Sequence, residues 1–296
     1  MHIVTLRDQS APVEAQFVPS AGMIGISLTE DGVELLGQRR GLDTYISAGK
    51  TMGLPVLYPW ANRLSTNTFD ADGTLVDIVP GAPGVRLDPN DLPIHGLLAA
   101  HPGWQIVSEA ADELVVTFDF SSHPELLASF PFPHTVELSV TLRERALTIR
   151  TVVAATTDVG VPLCFGFHPY LQLPGVPRAQ WLIETPAMRH LAVDDRGIPT
   201  GSTSAQPAGE ELLGDKTFDD GYDEVADGSR FAVSNRGRRI EVRFVEGYPA
   251  AQIFAPPGED VICFEPMAAP TDALTRGTYT TARPGKPAVA QFSVSV

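Results

Sequence analysis

The sequence has very little cysteine: only Cys164 and Cys263 occur among its 296 residues. Two thiols cannot build a disulfide framework, and neither belongs to a Cys-x-x-Cys metal motif. Each lies inside an apolar run, which predicts a buried free thiol at both positions. Cysteine chemistry is therefore not expected to carry the function.

Long apolar runs are missing as well. No uninterrupted apolar stretch is long enough to span a membrane. The start of the chain, residues 1–7, lacks the apolar core of a signal peptide. We therefore expect a cytoplasmic protein.

Basic residues are scarce, with 21 Lys and Arg against 36 Asp and Glu and a formal net charge of −15. Such a charge repels nucleic acid and anionic membrane surfaces, so we expect no nucleic-acid partner and no membrane partner. It also mildly disfavours phosphorylated substrates, although a local basic cluster can outweigh the global charge.

Helical periodicity is weak, because no segment carries a clear apolar stripe of period 3.6. The best helix candidates, residues 124–129 and 209–213, are only a turn or two long. Alternating apolar residues instead predict strands, and the clearest hairpins are residues 69–76 with a glycine turn, 136–153, and 231–244 with Asn235-Arg236-Gly237 as its turn.

The fold class follows from this pattern of many short strands. Gly and Pro contribute 26 residues each, which suits a chain of many turns. We find no repeat, no low-complexity tract and no linker that would mark a boundary. The sequence therefore predicts an all-β protein, a large antiparallel β-sandwich formed by one domain over residues 1–296.

His168 lies within the aromatic and apolar run Cys164-Phe165-Gly166-Phe167-His168-Pro169-Tyr170. The run is typical of a buried strand, and Pro169 removes a ladder donor and biases His168 toward an extended backbone. The imidazole is thus held where a strand gives way to a turn, with an unperturbed pKa near ~6.5. Taken alone, the run is more typical of a core histidine with one hydrogen-bond partner.

Glu265 is the most informative of five polar motifs that interrupt apolar segments. It follows the buried strand pattern of residues 261–264, and a carboxylate at the edge of a core is either paired or kept for chemistry. A structural ion pair, for example with Arg63, explains this motif equally well. The other four motifs are Asn62-Arg63, His95-Gly96, His168-Pro169-Tyr170 and Phe218-Asp219-Asp220-Gly221-Tyr222.

Three kinds of chemistry could use these residues. His95, His168, Asp219 and Glu265 could hold a metal ion, but no two of them have the short spacing of ready-made metal motifs. Nucleophilic hydrolysis lacks both a Gly-x-Ser-x-Gly elbow and a Cys–His arrangement. Acid–base work on a hydroxylated substrate needs a donor, an acceptor and several positioning groups, which this set can supply.

Taken in order, the motifs resemble the aldose 1-epimerase (galactose mutarotase) family over nearly the whole chain. Each motif is weak alone, whereas their order is specific. They are Asn62-Arg63, His95-Gly96, His168-Pro169-Tyr170, the Asp219 motif, Ala251-Gln252-Ile253-Phe254, and Glu265-Pro266 followed by Asp272-Ala273. The resemblance implies a galactose mutarotase-like supersandwich that acts on a small-molecule sugar without a cofactor or metal.

The resemblance also implies a role for each residue. Glu265 matches the family's general base, which takes the proton of the anomeric hydroxyl, and His168 matches the general acid, which protonates the ring oxygen. The open aldehyde rotates and recloses on its other face. His95 would support the ring-oxygen side, and the groups holding hydroxyls would be Arg63, Asp219 and Gln252, with lesser contributions from Asn62 and Tyr170.

Two departures from the family pattern concern the substrate. Asp219 is followed by Asp220-Gly221, so Asp220 or Asp223 could be the sugar ligand instead. After His95-Gly96 come Leu97-Leu98 rather than the second glycine of many galactose-acting members. These leucines are expected to reshape one wall of the site, which puts galactose itself in doubt.

The leading prediction is a mutarotase for a free aldohexose, acting as a monomer or homodimer with a bell-shaped pH dependence. A hexose 6-phosphate epimerase would need a cationic cluster at the site. The candidate groups are Arg39-Arg40, Arg143 with Arg145, and Arg236 with Arg238 and Arg239. The last two groups fall in predicted hairpin turns, where solvated arginines are ordinary.

Two further alternatives remain open. A non-catalytic sugar-binding protein could use the same fold, but a binder has no need of both His168 and Glu265. A glycosidase could use Asp219 and Glu265 across a scissile bond, but His168 would then have no obvious role.

Overall fold

The computed structural model describes residues 1–71, 73–235 and 237–296, with 50% of residues in strands and 9% in helices. The all-β prediction is thereby confirmed. In chain order the strands are β1 (Val4–Arg7), β2 (Val13–Val18), β3 (Ile24–Glu30), β4 (Val33–Glu34), β5 (Val56–Leu57), β6 (Thr68–Ala71), β7 (Thr74–Asp77), β8 (Gln105–Glu109), β9 (Glu113–Asp119), β10 (His134–Arg143), β11 (Ala146–Ala155), β12 (Val161–Leu163), β13 (Gly166–Phe167), β14 (Tyr170–Leu171), β15 (Leu182–Thr185), β16 (Met188–Val193), β17 (Pro199–Gln206), β18 (Gly209–Leu212), β19 (Phe218–Asp223), β20 (Arg230–Asn235), β21 (Arg238–Glu246), β22 (Ala250–Ala255), β23 (Ile262–Met267), β24 (Thr280–Ala282) and β25 (Ala288–Ser295).

Two large antiparallel sheets dominate the described residues. One has nine strands in the order β18-β15-β20-β21-β25-β11-β10-β9-β8. The other has the order β17-β16-β19-β22-β23-β13-β5, with β14 pairing beside β13 on β23. Smaller sheets are formed by β1 to β4, by β6 with β7, and by β12 with β24.

The main core lies between the two large sheets. Along β10 every second residue is buried, as the period-2 pattern predicts, and Val136 faces Val153 of β11 in register. Aromatic rings from the opposed sheets meet in pairs. The ring centroids of Phe167 and Phe292 are 4.8 Å apart, and those of Phe231 and Phe264 are 5.5 Å apart. This is the packing of a sandwich.

Helices are short: α1 (Gly41–Ala48), α2 (Pro124–Leu127) and α3 (Ala273–Arg276), with 3-10 turns at Pro19–Ala21, Phe120–Ser122 and Arg178–Gln180. The helix predicted at residues 124–129 is confirmed as α2. The helix predicted at residues 209–213 is wrong, because Gly209–Leu212 forms an edge strand paired with β15. None of the helices in the described part of the chain combines the length and apolar character needed to cross a bilayer.

The predicted hairpins are present. Phe69 pairs with Val76 between β6 and β7, and Val233 pairs with Ile240 between β20 and β21. Asp72 and Arg236, which belong to the turns predicted for these hairpins, lie outside the described residues. Both cysteines are buried free thiols, as predicted.

The second sheet and two neighbouring loops bring the predicted site residues together. Strands β19, β22 and β23 and the β13–β14 junction supply residues from the sheet. The two loops carry Asn62 and His95. They are held to each other, because the His95 amide donates to the Asn62 carbonyl at 3.0 Å and Arg63 forms a bridge with Ile94.

Candidate active site

Glu265 and Gln252 face each other in register across β23 and β22. Paired residues of neighbouring strands project on the same side of a sheet. The side chain of Gln252 also faces Gly221 of β19, where an added Cβ would stand 3.2 Å from the Gln252 Oε1. Nε2 of Gln252 donates to Oδ1 of Asp219 at 2.8 Å. Three adjacent strands thus present Asp219, Gln252 and Glu265 together.

His168 lies between β13 and β14, at the strand end that Pro169 was predicted to mark. Its backbone N–H donates to the Pro55 carbonyl, next to the pair that Phe167 of β13 forms with Val56 of β5. Its Nε2 lies 3.3 Å from Oε1 of Glu265, and the two side chains are only 6% and 2% exposed. The predicted acid and base are therefore in direct contact within a buried site.

Tyr170 holds His168 from one side. The two rings stack with centroids 4.3 Å apart, and the Tyr170 hydroxyl lies 3.2 Å from Nε2 of His168. Arg39 donates from Nη1 to that hydroxyl at 2.9 Å, and Thr51 Oγ1 lies 2.6 Å from it. Arg39 is itself fixed by two hydrogen bonds to Glu259. The imidazole is therefore oriented by a connected polar network.

Arg63 does not form the ion pair with Glu265 that the sequence offered as an explanation. Its Nε donates to Oδ2 of the buried Asp88 at 2.8 Å, and its Nη2 lies 3.9 Å from Oδ2 of Asp219. Asn62 Oδ1 accepts from the Arg63 amide and from its Nη1. The guanidinium is thus held beside Asp219 with N–H groups available to a ligand.

His95 packs edge-on against His168, with ring centroids 5.7 Å apart. Both His95 and Asn62 have left-handed backbones, with φ of 61° and 56°. Gly96 is required next to His95, because a Cβ there would lie 2.1 Å from the Tyr58 carbonyl oxygen. Nδ1 of His95 is buried without a partner among the described residues.

Leu97 and Leu98 were expected to shape a wall of the site. Both are 0% exposed and belong to the main hydrophobic core. Their amides both donate to the Tyr58 carbonyl. They pack in the core beneath the His95 loop, and neither lines the cavity beside His95.

Asp219 is the acid that the structure places in the site, of the three that the sequence left open. Asp220 Oδ1 contacts Nε2 of His190 at 3.1 Å on the other face of β19. Asp223 accepts two hydrogen bonds of 2.7 Å from Arg189. Asp219 is joined to Gln252 instead, and its side chain is 52% exposed.

Burial shifts the acid–base pair in opposite directions. Desolvation and the nearby charge of Asp219 raise the pKa of Glu265 well above its usual value, against a lowering effect of Arg63. Desolvation, with smaller effects of His95 and Arg39, lowers the pKa of His168 well below 6.5. The pKa of His95 falls to about 3 through burial and the charges of Arg63 and Arg86. Burial therefore favours the neutral form of each group, the protonated Glu265 and the neutral imidazole of His168.

The metal interpretation gains no support from the geometry of the predicted ligands. Among the described residues, the one group of His, Cys, Asp or Glu ligand atoms that converges within 4.8 Å is His101, His123 and Glu125, away from the pair. Gly103 donates its amide to Nδ1 of His101 at 3.1 Å. Nε2 of that neutral imidazole then carries the hydrogen and cannot ligate a cation.

A cavity of about 430 Å³ opens beside His95, and its lining includes Arg39, Thr51, Arg63 and Asp88 but neither His168 nor Glu265. The sequence offered Arg39 only as part of a candidate cationic cluster for a phosphorylated substrate, and it assigned no site role to Thr51 or Asp88. Asp88 lies in a segment rich in Pro, Gly and Asp that is typical of a solvated loop. An aspartate in such a segment does not indicate burial. Asp88 is buried only because Arg63 packs against it.

Comparison with known proteins identifies the family and the fold. The sequence model for aldose 1-epimerase matches residues 18–295. The Slr1438 protein of Synechocystis sp. PCC 6803 has a TM-score of 0.81 and 22% identity, over 99% of this chain and 95% of that one. A putative aldose 1-epimerase of Escherichia coli K12 has a TM-score of 0.77 and 21% identity, over 99% and 98%. The galactose 1-epimerase of Lactobacillus acidophilus NCFM has a TM-score of 0.77 and 16% identity, over 98% and 92%.

These solved structures share the fold, and at such identities the likeness is one of fold alone. Among curated proteins, the uncharacterized protein YihR of E. coli K12 is 28% identical over 148 residues, or 49% of this chain. That match spans 44% of the length of YihR. Because the family match extends over all the strands that carry the site, this chain belongs to the aldose 1-epimerase family.

Proposed function

We propose that this protein is a cofactor-independent aldose 1-epimerase that interconverts the α and β anomers of an aldohexose by opening and reclosing the pyranose ring. The single observation that carries the proposal is the contact between His168 and Glu265 inside a buried site. An acid and a base only 3.3 Å apart suit two oxygens that are bonded to the same carbon. In a pyranose these are the anomeric O1 and the ring O5.

Ring opening moves two protons. Glu265, as the carboxylate, takes the proton of the O1 hydroxyl while the C1–O1 double bond forms. The C1–O5 bond breaks, and the imidazolium of His168 gives its proton to O5. The aldehyde then rotates about C1–C2. In reclosure O5 attacks C1, His168 recovers its proton and Glu265 returns one to O1, so the enzyme is unchanged.

Burial of the pair favours this cycle. In the free protein desolvation favours a protonated Glu265 and a neutral imidazole, because it disfavours both charges. This is the protonation state that ring opening leaves behind. The neutral pair has a protonated Glu265 and a neutral His168, and the charged pair has a Glu265 carboxylate and a His168 imidazolium. Both contain the same number of protons, so transfer of one proton from Glu265 to His168 prepares the pair for ring opening.

The remaining residues would hold the sugar. Arg63 and Gln252 offer N–H groups and Asp219 offers carboxylate oxygens to ring hydroxyls, while the His95 ring lies next to His168 on the O5 side. A non-catalytic sugar-binding protein would have no use for a buried acid–base pair that destabilises both charges. We therefore place the enzyme ahead of the binder.

Polarimetry of freshly dissolved α-D-glucose and α-D-galactose tests the proposal. The wild type should speed the approach to equilibrium, and Glu265→Gln should not. Glu137→Gln is a matched control, because Glu137 lies half-buried on β10 of the other sheet. A wild type that is inactive on neutral and charged aldoses alike would overturn the proposed function.

A further inference from the structure

The cavity beside His95 carries a charge opposite to that of the whole protein. Among the described residues its lining has five cationic side chains and one acid, Asp88, in a chain of net charge −15. The cations are Arg39, Arg40, Lys50, Arg63 and Arg86. Arg39 is paired with Glu259, and Arg63 is paired with Asp88.

The other three cations form no direct ion pair with a described residue, and of the three only Arg40 acts on a nearby carboxylate, since it contributes to lowering the pKa of Glu259. Within the described residues, no carboxylate oxygen lies within 4.0 Å of a side-chain nitrogen of Arg40, Lys50 or Arg86. Arg40 and Lys50 are exposed and flank α1. Arg40 directly precedes the helix, and Lys50 follows Gly49 just after its end. Both ends of this helix thus present a positive charge to the same cavity.

Arg86 is built into the cavity wall. Gly49 has a φ of 67°, and a Cβ on it would lie 2.4 Å from Cζ of Arg86, so the missing side chain leaves the space that the guanidinium fills. Nη2 of Arg86 donates to the Ala99 carbonyl at 3.0 Å. Its remaining side-chain N–H groups have no acceptor among the described residues.

A half-buried guanidinium without a carboxylate is unfavourable unless an anion arrives, because desolvation is not offset by an opposite charge. The charge of Arg86 also reaches the site, since it contributes to lowering the pKa of His95. The cavity and the acid–base pair are therefore electrostatically connected.

In the other arginine groups considered from the sequence, the described arginines are paired with carboxylates. Arg143 is paired with Asp112, Arg145 and Arg238 with Glu30, and Arg239 with Glu184. None of these four lines the cavity. Arg236 lies outside the described residues.

We propose that the sugar substrate carries an oxyanion group, such as a phosphate, a sulfate or a carboxylate, which binds among Arg40, Lys50 and Arg86. The sugar ring then lies toward His95 and the acid–base pair. This rests on the proposed epimerase function and narrows its substrate class. A neutral aldohexose leaves three cations unpaired, whereas an oxyanion accepts charge-assisted hydrogen bonds from both arginines and the lysine.

The test compares the kcat/KM for mutarotation of D-glucose with those for D-glucose 6-phosphate, D-glucose 6-sulfate and D-glucuronate. The variants are Arg40→Gln/Lys50→Gln and the control Arg243→Gln/Lys286→Gln. The control removes two exposed cations that also lack a carboxylate partner among the described residues. The two double variants therefore change the net charge equally.

We expect the wild type to prefer at least one anionic sugar over glucose by tenfold or more. That preference should fall at least tenfold in Arg40→Gln/Lys50→Gln and stay within twofold in the control. The anionic sugar that is preferred identifies the oxyanion.

Three results would overturn the proposal. If glucose is turned over at least as well as all three anionic sugars, the proposed function stands and the anionic substrate does not. Equal loss of preference in both double variants would show a general charge effect rather than a site. If no sugar is turned over, the epimerase function itself fails, and its substrate class with it.

Discussion

Nε2 of His168 and Oε1 of Glu265 are 3.3 Å apart, and neither side chain is open to bulk water. The same burial that brings them together disfavours a charge on each. One proton held between two such groups is the minimum that ring opening and reclosure require. Four predictions follow from this contact and from the Tyr170 hydroxyl beside it.

The two residues should act as a unit. We expect His168→Gln and Glu265→Gln each to lower kcat by about 10² to 10⁴, the range of general acid–base catalysis. The double variant should be no slower than the slower single variant, because one transfer without the other does not open the ring. Polarimetry at saturating sugar measures this; multiplicative losses would show that the two residues act independently.

The pH dependence of kcat/KM should be bell-shaped. Gain of a second proton by the pair removes the base, and loss of the shared proton removes the acid. Because burial lowers the pKa of His168 below 6.5, the acid limb should lie below 6.5, and because burial raises the pKa of Glu265, the basic limb should lie above 4.5. An acid limb with its midpoint at or above pH 6.5 would contradict this prediction.

Glu265 should lower the stability of the protein at neutral pH. Its folded pKa is raised, so the folded state binds the proton more tightly than the unfolded state. Stability is therefore lost as pH rises from about 4.5 toward the folded value. The isosteric Glu265→Gln does not titrate, and we expect a gain on the order of 1 kcal/mol at pH 8, the ordinary range for a single substitution.

Urea unfolding of both proteins at pH 5 and pH 8 measures this gain. The difference between Glu265→Gln and wild type should be larger at pH 8. Glu137→Gln should show no such growth, because that carboxylate is half-buried on the other sheet. If Glu265→Gln is less stable than wild type at pH 8, burial does not destabilise the charged form of Glu265 as we infer.

Tyr170 is predicted to position His168 rather than to react. Tyr170→Phe keeps the stacked ring but removes the hydroxyl that contacts His168, Arg39 and Thr51. We expect kcat to fall about tenfold with KM nearly unchanged, and stability to fall by about 1–3 kcal/mol because buried donors lose an acceptor.

The control for this variant is Tyr248→Phe. Tyr248 packs against Phe244 and Phe292 in the core between the sheets. Its loss of a hydroxyl should leave kcat unchanged. An equal fall of kcat in the two variants would mean that Tyr170 acts only through overall stability.

The strands were predictable where one face is buried, since every second residue is buried along β10 and along β11 up to Val153. The failures occur where this pattern is absent. All four residues of Gly209–Leu212 are exposed, so only pairing with β15 makes them a strand. The helix α1 was missed because Tyr45 is its one buried residue, which leaves no apolar stripe.

The site could be anticipated only in part. Glu265, Gln252 and His168 lie in apolar strands where a polar residue is conspicuous. Arg39, Asp88 and Arg86 lie in polar segments, and their partners are 220, 25 and 13 residues away in the chain. Composition says nothing about such distant contacts, which exist only once the loops pack on the sheet.

The left-handed backbone of His95 has a consequence for how this position would change under selection. Unlike asparagine, histidine does not adopt this region readily, and it is less stable there than glycine by about 1 kcal/mol or more. In a library randomised at position 95, selection for heat resistance alone should therefore enrich glycine. Selection for growth that depends on sugar turnover should instead retain histidine.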